Sequence, residues 1–214
     1  MTKVLPIPLN AFQENTYIVY DETSLECIIF DPGCSTNAEE KTLVEIIESR
    51  NLKPVKLINT HCHLDHVFGN DFVHKKYDLP LGIHELEVEV LEMSPMVAKM
   101  YGLPTMTPSP PADYFIAEGE TIALGDATFE VLFCPGHSPG SICFYNRTEG
   151  YIIAGDVLFD GSIGRTDLPG GDHQTLIGSI MTKLLPLADE TIVWPGHGGP
   201  TTIGKERDSN PFLT

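Results

Sequence analysis

The feature that most constrains the fold is a set of histidines and aspartates in segments that each directly follow a strand-like run. The loop that follows the run at residues 55–59 contains four of them, namely His61, His63, Asp65 and His66. Three later residues occupy the same kind of position, namely His137, Asp156 and His197. Loops at strand ends are where a rigid scaffold presents functional side chains. The chain is therefore expected to fold so that distant loops meet at one edge.

The residue types in this set are typical metal ligands. Neutral imidazole and carboxylate bind zinc, and they also bind iron or manganese. His61 and His63 are two positions apart, so on an extended segment both side chains point to the same side and can share one metal. Asp65 and His66 lie slightly further along and can reach a second metal. The spacing therefore predicts a metal site.

Strand-like runs alternate with helical patterns, which is typical of an α/β protein. Strands are predicted at residues 16–20, 27–30, 55–59, 128–133, 141–145, 151–153 and 191–194. Helices are predicted at residues 37–48, with Asn37 as the N-cap, and at residues 174–184. Helices that cover the outer faces of two packed sheets would give a four-layer αββα sandwich. Since no linker-like stretch divides the chain, residues 1–214 are predicted to form one domain.

The net charge and the cysteines limit partners and location. A formal net charge of -17 repels nucleic-acid phosphates and anionic membranes, so neither is expected as a partner. The number of cysteines, five, is odd, and no two of them form a Cys-x-x-Cys pair. This pattern indicates a reduced, intracellular chain. The N-terminus lacks the apolar stretch of a signal peptide, and no run is long enough to span a bilayer. A cytoplasmic location is predicted, and the oligomeric state is left open.

The Met-rich segment, residues 93–111, stands apart because it contains four methionines and five prolines. Met93, Met96 and Met100 would share one face of a helix. Such stripes usually lie in a core, so we expect these methionines to fill an irregular gap there. The alternative is an adaptable apolar lid over the site, or a dimer contact.

The motifs and their order resemble those of the metallo-β-lactamase superfamily across nearly the whole chain. They are His61-x-His63-x-Asp65-His66, Pro135-Gly136-His137, Gly155-Asp156 and Gly196-His197-Gly198. The resemblance implies the αββα fold, with the metal site along one edge. It also implies the following ligand assignment: His61, His63 and His137 for the first metal, Asp65, His66 and His197 for the second, and Asp156 bridging both.

A closer resemblance is to glyoxalase II-type hydrolases in their single-domain form. It is carried by residues 14–17, 31–33, 161–167, 201–207 and 210–212. This resemblance implies a hydrolase that uses a metal-bound hydroxide to cleave a small-molecule thioester such as S-D-lactoylglutathione. Two divalent metal ions are implied, with zinc favoured and iron or manganese also compatible. Asp65 and Asp156 are the expected catalytic residues, with Asp65 orienting the hydroxide or moving a proton.

The chain departs from two-domain glyoxalase II enzymes, whose helical C-terminal domain supplies much of the glutathione site. This sequence stops soon after His197. Recognition of glutathione is therefore expected to come from elsewhere, and the candidates are Lys205, Arg207 and the Met-rich segment. An ion pair between Arg165 and Asp167 that steadies a loop is also expected. The alternative is that Arg165 or its loop meets a substrate carboxylate, or supports Asp156 from behind.

An alternative function is a mononuclear iron persulfide dioxygenase of the same fold. Such enzymes resemble the chain at residues 164–167 and would hold iron with His61, His137 and Asp156, a two-histidine, one-carboxylate set. Residues 195–198 resemble the hydrolase instead. A metal-storing module is a third hypothesis, but it does not explain why the ligands lie at strand ends.

Overall fold

A computed structural model describes residues 1–103 and 106–214 of the chain. These residues form two compact units. The first unit comprises Met1–Phe115 and Leu124–Ala127, and the second comprises Ile116–Ala123 and Thr128–Thr214. Each unit has its own sheet and its own helices. The single domain expected for residues 1–214 stays a prediction.

The first unit contains a six-stranded sheet in which the strands follow one another in chain order. The strands are β1 (Thr2–Leu9), β2 (Glu14–Asp21), β3 (Glu26–Phe30), β4 (Lys53–Ile58), β5 (Leu81–Ile83) and β6 (Tyr114–Phe115). The pairs β1–β2 and β2–β3 are antiparallel, whereas β3, β4, β5 and β6 run parallel to one another. The carboxyl ends of β3 and β4 therefore lie side by side at the same edge of this sheet.

The β1 strand was not predicted from the sequence, because Pro6 and Pro8 interrupt its pattern. Proline cannot donate a hydrogen bond to a sheet, so it is found mainly on edge strands. β1 is an edge strand of this kind, since it pairs only with β2 on one side. The predicted strands at residues 16–20, 27–30 and 55–59 are confirmed, with shifts of one to two residues at some ends.

Four α-helices belong to the first unit, and a short 3-10 helix at Glu85–Glu87 precedes the last of them. They are α1 (Asn37–Ser49), α2 (Leu64–Val67), α3 (Asn70–Tyr77) and α4 (Val88–Met100). The helix predicted at residues 37–48 is confirmed, but the N-cap is Thr36 and not Asn37. The Thr36 hydroxyl accepts from the Glu39 N–H at 3.3 Å, and the Glu39 carboxylate accepts from the Thr36 N–H at 3.0 Å. This reciprocal pair is a capping box.

The three methionines expected in the core are on the surface of α4. Met93, Met96 and Met100 are 41%, 53% and 80% exposed, so the expectation that they fill a core gap is wrong. The buried stripe of the helix is formed by Leu91, Ser94 and Ala98 instead. Pro104, which also belongs to the Met-rich segment, lies outside the described residues.

The second unit contains another six-stranded sheet, a short hairpin and two helices. The strands are β7 (Thr121–Leu124), β8 (Ala127–Phe133), β9 (Ile142–Asn146), β10 (Tyr151–Gly155), β11 (Leu158–Phe159), β12 (Ser162–Ile163), β13 (Ile192–Pro195) and β14 (Thr201–Thr202). The last residue of β7 and the first residue of β8 are counted with the first unit. The helices are α5 (His173–Ser179), which continues as a π-helix at Ile180–Leu184, and α6 (Ile203–Ser209). The strands and the helical region predicted for this half of the chain are confirmed.

The order of the second sheet is β14-β13-β10-β9-β8-β7, and β11 pairs with β12 as a separate hairpin. β9 is antiparallel to both β8 and β10, and β13 is parallel to β10. Strands β8, β10 and β13 therefore all point the same way and end at one edge of this sheet.

The apolar side chains of each sheet pack against the helices of the same unit. In the second unit, the fully buried Ile152 and Val193 of the sheet belong to one core with Leu176 and Ile180 of the helical region. Burial of such a side chain contributes about 1.5–3 kcal/mol to stability, so this packing holds the strand ends in place. Among the residues described, no helix is long and apolar enough to cross a membrane. The cytoplasmic location stays a prediction.

Candidate metal centre

The first ligand cluster lies where β4 ends and α2 begins. His61 and His63 are in the connecting loop, and Asp65 and His66 are in α2 itself. The ring centroid of His61 is 4.9 Å from that of His63 and 4.1 Å from that of His66. The Asp65 Oδ2 lies 3.8 Å from the His66 Nε2. The structure thus brings together all four ligands that were predicted in this unit.

Asp31, which was not among the ligands predicted from the sequence, is the buried carboxylate that organises this cluster. It follows β3, and Thr60 lies just beyond β4, so the parallel pairing of Phe30 with Ile58 brings the two residues together. The Asp31 carboxylate accepts hydrogen bonds from the Thr60 N–H at 2.7 Å and from the Thr60 hydroxyl at 2.6 Å. Its φ of 47° lies in the left-handed region, which costs about 1–3 kcal/mol and persists only where the surroundings hold it.

These contacts determine which nitrogen of two imidazoles carries the proton. The His66 Nδ1 lies 3.1 Å from the Asp31 Oδ2, and a carboxylate oxygen can only accept, so Nδ1 is protonated. The Thr60 hydroxyl gives its single proton to Asp31 and therefore accepts from the His61 Nδ1 at 3.1 Å. Both imidazoles consequently present the lone pair of Nε2, which is the form that ligates a metal.

Ligand atoms of Asp31, His61 and His66 lie within 4.8 Å of one another. The Asp31 oxygens already receive the hydrogen bonds that orient the two imidazoles. Asp31 is therefore better placed to support ligands than to act as one, a role that carboxylates commonly have behind metal-bound histidines.

Replacing Thr60 by valine should weaken metal binding while leaving the fold intact. Valine has nearly the same shape as threonine but lacks the hydroxyl that joins Asp31 to His61. Loss of such an outer contact typically lowers metal affinity or activity about 10- to 100-fold. The dissociation constant for zinc, measured by competition with a chromogenic chelator, checks this. The matched control is Thr60→Ser, which keeps the hydroxyl, and equal zinc affinity in the two variants would contradict the role of the hydroxyl.

Glu14 is a further fully buried carboxyl beside the first cluster, with its Oε1 3.8 Å from the His66 Nδ1. Burial raises the pKa of Glu14 well above its usual value. The imidazole of His66 opposes this shift, and the carboxylates of Asp31 and Asp65 add to it. The protonated form of Glu14 is therefore favoured, which leaves less negative charge against the two neighbouring aspartates.

The second ligand cluster lies at the edge of the second sheet where its three parallel strands end. His137 is in the loop after β8, Asp156 directly follows β10, and His197 is in the loop after β13. The Asp156 Oδ2 lies 3.4 Å from the His137 Nε2 and 3.5 Å from the His197 Nε2. The structure thus brings together the three ligands that were predicted in this unit.

The donor set of the second cluster fits a cation. The His137 Nδ1 lies 2.7 Å from the main-chain oxygen of Arg165, which can only accept, so Nδ1 carries the proton. In a neutral imidazole with its proton on Nδ1, the His137 Nε2 turns its lone pair toward a carboxylate oxygen of Asp156, a residue that is only 9% exposed. Two electron-rich atoms in a poorly solvated place repel each other, whereas a divalent cation between them would be coordinated by both.

Gly136 shows why glycine precedes the ligand at 137. Its φ of 128° is in the range that favours glycine, and a Cβ there would lie 2.2 Å from the main-chain nitrogen of Leu176. The close approach of α5 to this loop thus depends on the absence of a side chain at Gly136.

The two cysteines nearest the ligands in sequence are small buried residues. Cys62 and Cys134 are both 0% exposed. Burial, with a further contribution from Glu87, raises the pKa of the Cys62 thiol well above its usual value, which disfavours the thiolate that a metal would bind. All five cysteines of the chain are free thiols.

Each of the three cations considered for contacts with the substrate is engaged in an ion pair. Arg165 donates to both carboxylate oxygens of Asp167 at 2.7 and 2.8 Å, and this contact lowers the pKa of Asp167 to about 2. The Lys205 Nζ lies 2.5 Å from an oxygen of Asp160. Arg207 pairs with an aspartate and also donates to main-chain oxygens. The expected pairing of Arg165 with Asp167 is confirmed, and carrier recognition by Lys205 or Arg207 stays a prediction.

Comparisons with known proteins cover almost the whole chain. Residues 9–197 match the family model described as the metallo-beta-lactamase superfamily, and this range includes all seven predicted ligands. The chain is 43% identical to the hydroxyacylglutathione hydrolase GloC of Haemophilus influenzae, over 97% of this chain and 96% of that protein.

Two solved structures are similar in both fold and sequence. One is the BLEG-1 B3 metallo-beta-lactamase, with a TM-score of 0.89, 40% identity and coverage of 100% of both chains. The other is TTHA1623 in a di-iron-bound form, with a TM-score of 0.87, 38% identity and coverage of 98% of this chain and 100% of that one.

Proposed function

Because the chain belongs to the metallo-β-lactamase superfamily, and is a metallohydrolase with that fold, we propose that its substrate is a thioester. S-D-lactoylglutathione is the first thioester to test. The support is the 43% identity to a hydroxyacylglutathione hydrolase over nearly the full length of both chains. The α/β fold class expected from the sequence is confirmed by the same family match.

We further propose that the two ligand clusters together hold two divalent metal ions. His61, His63 and His137 would bind the first, and Asp65, His66 and His197 would bind the second, with Asp156 shared by both. The observation that carries this proposal is the placement of two imidazole nitrogens about a single Asp156 oxygen. Zinc is favoured by the ligand types, and iron or manganese is also compatible. The similarity to a protein solved with two irons supports a pair of metals.

A metal pair held there would supply Lewis-acid activation of water and of a carbonyl at neutral pH. The protein's own contribution is to position groups around the reacting atoms. Asp65 is only half-buried, so its carboxylate can face a substrate while its main-chain oxygen is held by the Asn10 amide at 3.0 Å. Asn10 thus holds the backbone that carries the Asp65 carboxylate, and a carboxylate at this place could orient water and accept a proton from it.

Thiol release tests the proposal. Zinc-loaded protein is incubated with S-D-lactoylglutathione, and the free thiol is followed with a chromogenic disulfide reagent. We expect release that saturates with substrate and is lost when the metal is removed by a chelator. A chromogenic cephalosporin is tested in parallel, because a relative with 40% identity is a B3 metallo-beta-lactamase. Zinc binding without thiol release, together with faster hydrolysis of the cephalosporin, would contradict the proposed substrate.

The dioxygenase hypothesis makes a different demand on the same residues. It needs only His61, His137 and Asp156, and it leaves His66 and His197 without a role. Oxygen uptake with glutathione persulfide by a protein that contains one iron per chain and releases no thiol from thioesters would favour it.

A further inference from the structure

Glu206 is a buried carboxylate that accepts several hydrogen bonds and lies beyond the last of the predicted ligands in sequence. It lies on α6 and is 0% exposed. One of its oxygens accepts from the Thr201 hydroxyl at 2.5 Å. The other accepts from the Gly161 N–H at 2.9 Å and from the Asn210 side-chain amide at 2.7 Å. Burying a carboxylate is unfavourable unless it is hydrogen-bonded in this way, so its position is closely specified.

Two of these contacts hold the turn of the β11–β12 hairpin. Gly161 is in the turn itself, and Glu206 accepts its N–H. The Asn210 amide, besides donating to Glu206, donates to the main-chain oxygen of Ser162 at 3.0 Å. The hairpin is thus attached to α6 through a buried carboxylate and a buried amide.

The same hairpin reaches all three ligands of the second cluster. Asp156 lies two residues before β11. The ring of Phe159, on β11, lies edge-on against the ring of His197 with centroids 6.3 Å apart. The segment after β12 supplies the main-chain oxygen of Arg165 that binds the His137 Nδ1. Displacement of the hairpin would therefore affect each ligand by a separate contact.

The segment after β12 is also packed closely against the ligand loop. A Cβ at Gly164 would lie 1.9 Å from the main-chain oxygen of Asp156 and 3.1 Å from the Cβ of His137. Because close-packed atoms leave no free space between them, a shift of the hairpin would also displace Asp156 and His137.

We propose that Glu206 is a positioning residue for the metal centre, acting through the hairpin at residues 158–163 on His137, Asp156 and His197. This inference rests on the proposed metal centre. It differs from a general stabilising role, because loss of Glu206 would change the affinity and the coordination of the metal in a chain that is still folded.

The test is zinc affinity in full-length protein, measured by competition with a chromogenic chelator, for Glu206→Ala, Glu206→Gln and Asp208→Asn. Contacts that support metal ligands change affinity about 10- to 100-fold, so we expect Glu206→Ala to weaken zinc binding by about tenfold or more. Glutamine can still accept the Gly161 N–H, so Glu206→Gln should recover most of the affinity. Asp208 is an exposed carboxylate on the same helix and serves as the matched control with unchanged affinity.

The visible absorption of the cobalt-loaded proteins provides a second readout, because it reports coordination geometry. We expect it to change in Glu206→Ala and not in Asp208→Asn. If Glu206→Ala does not fold, Glu206→Asp decides, since the shorter side chain withdraws the carboxylate from the Gly161 N–H and keeps the charge. Wild-type zinc affinity and cobalt absorption in a folded Glu206→Ala or Glu206→Asp variant would overturn the inference. Failure of the wild-type protein itself to bind zinc would instead overturn the proposed metal centre.

Discussion

Replacing Asp156 by alanine should lower turnover of the thioester by more than the about 10- to 100-fold that is typical for a contact behind a metal ligand, because Asp156 is proposed to ligate the metal ions directly. Its Oδ2 lies 3.4 Å and 3.5 Å from the Nε2 atoms of His137 and His197, and no other carboxylate was predicted as a ligand in this unit. The variant should also retain less metal after dialysis. Steady-state kinetics and elemental analysis of the same preparation measure both effects.

The control for this variant is Asp126→Ala, which removes an exposed carboxylate in the turn between β7 and β8. It should behave as the wild type in both assays. Circular dichroism establishes that both variants fold. An Asp156→Ala protein that is folded and keeps wild-type turnover would remove Asp156 from the reaction.

Replacing Asp65 by alanine should lower kcat about 10²- to 10⁴-fold, which is the usual contribution of a positioned acid or base. KM should change far less, because the proposed role of Asp65 is in the chemical step and not in binding the substrate. Asparagine at this position should be equally impaired, since an amide cannot accept the proton. The comparison of kcat with KM for Asp65→Ala, Asp65→Asn and Glu45→Ala, an exposed control on α1, tests this role. A large rise in KM with unchanged kcat would show that Asp65 binds substrate and does not take part in the chemical step.

The ligands could be predicted from the sequence because each combines a metal-binding side chain with a position at a strand end. His137 and His197 illustrate this, since each lies two or more residues after a short apolar strand with glycine beside it. The parallel direction of β8, β10 and β13 explains why such distant residues reach one edge of the second sheet.

Asp31 could not be recognised in the same way. Asp31-Pro32-Gly33 has the composition of an ordinary turn, and its importance depends on the pairing of β3 with β4, which places Asp31 beside Thr60. Strand pairing over this distance is not apparent in local sequence. One sequence feature could have identified Asp31. Like the predicted ligands, it is a metal-binding side chain that follows an apolar strand.

The Met-rich segment shows the limit of periodicity as a guide. Met93, Met96 and Met100 do share a helical face, but Leu91, Ser94 and Ala98 share another with similar spacing. Spacing identifies a helix and its faces. It does not decide which face is buried, since that depends on what the rest of the chain places against the helix, and here the face that contains a serine is the buried one.

The most direct test of the central claim is anomalous diffraction at the zinc edge from crystals of the zinc-loaded protein. The account predicts two peaks about 3.5–4 Å apart. One should be ligated by His61, His63 and His137, the other by Asp65, His66 and His197, and Asp156 should contact both. Peaks bound separately by the two ligand clusters, or clusters that face different regions of the molecule, would contradict it.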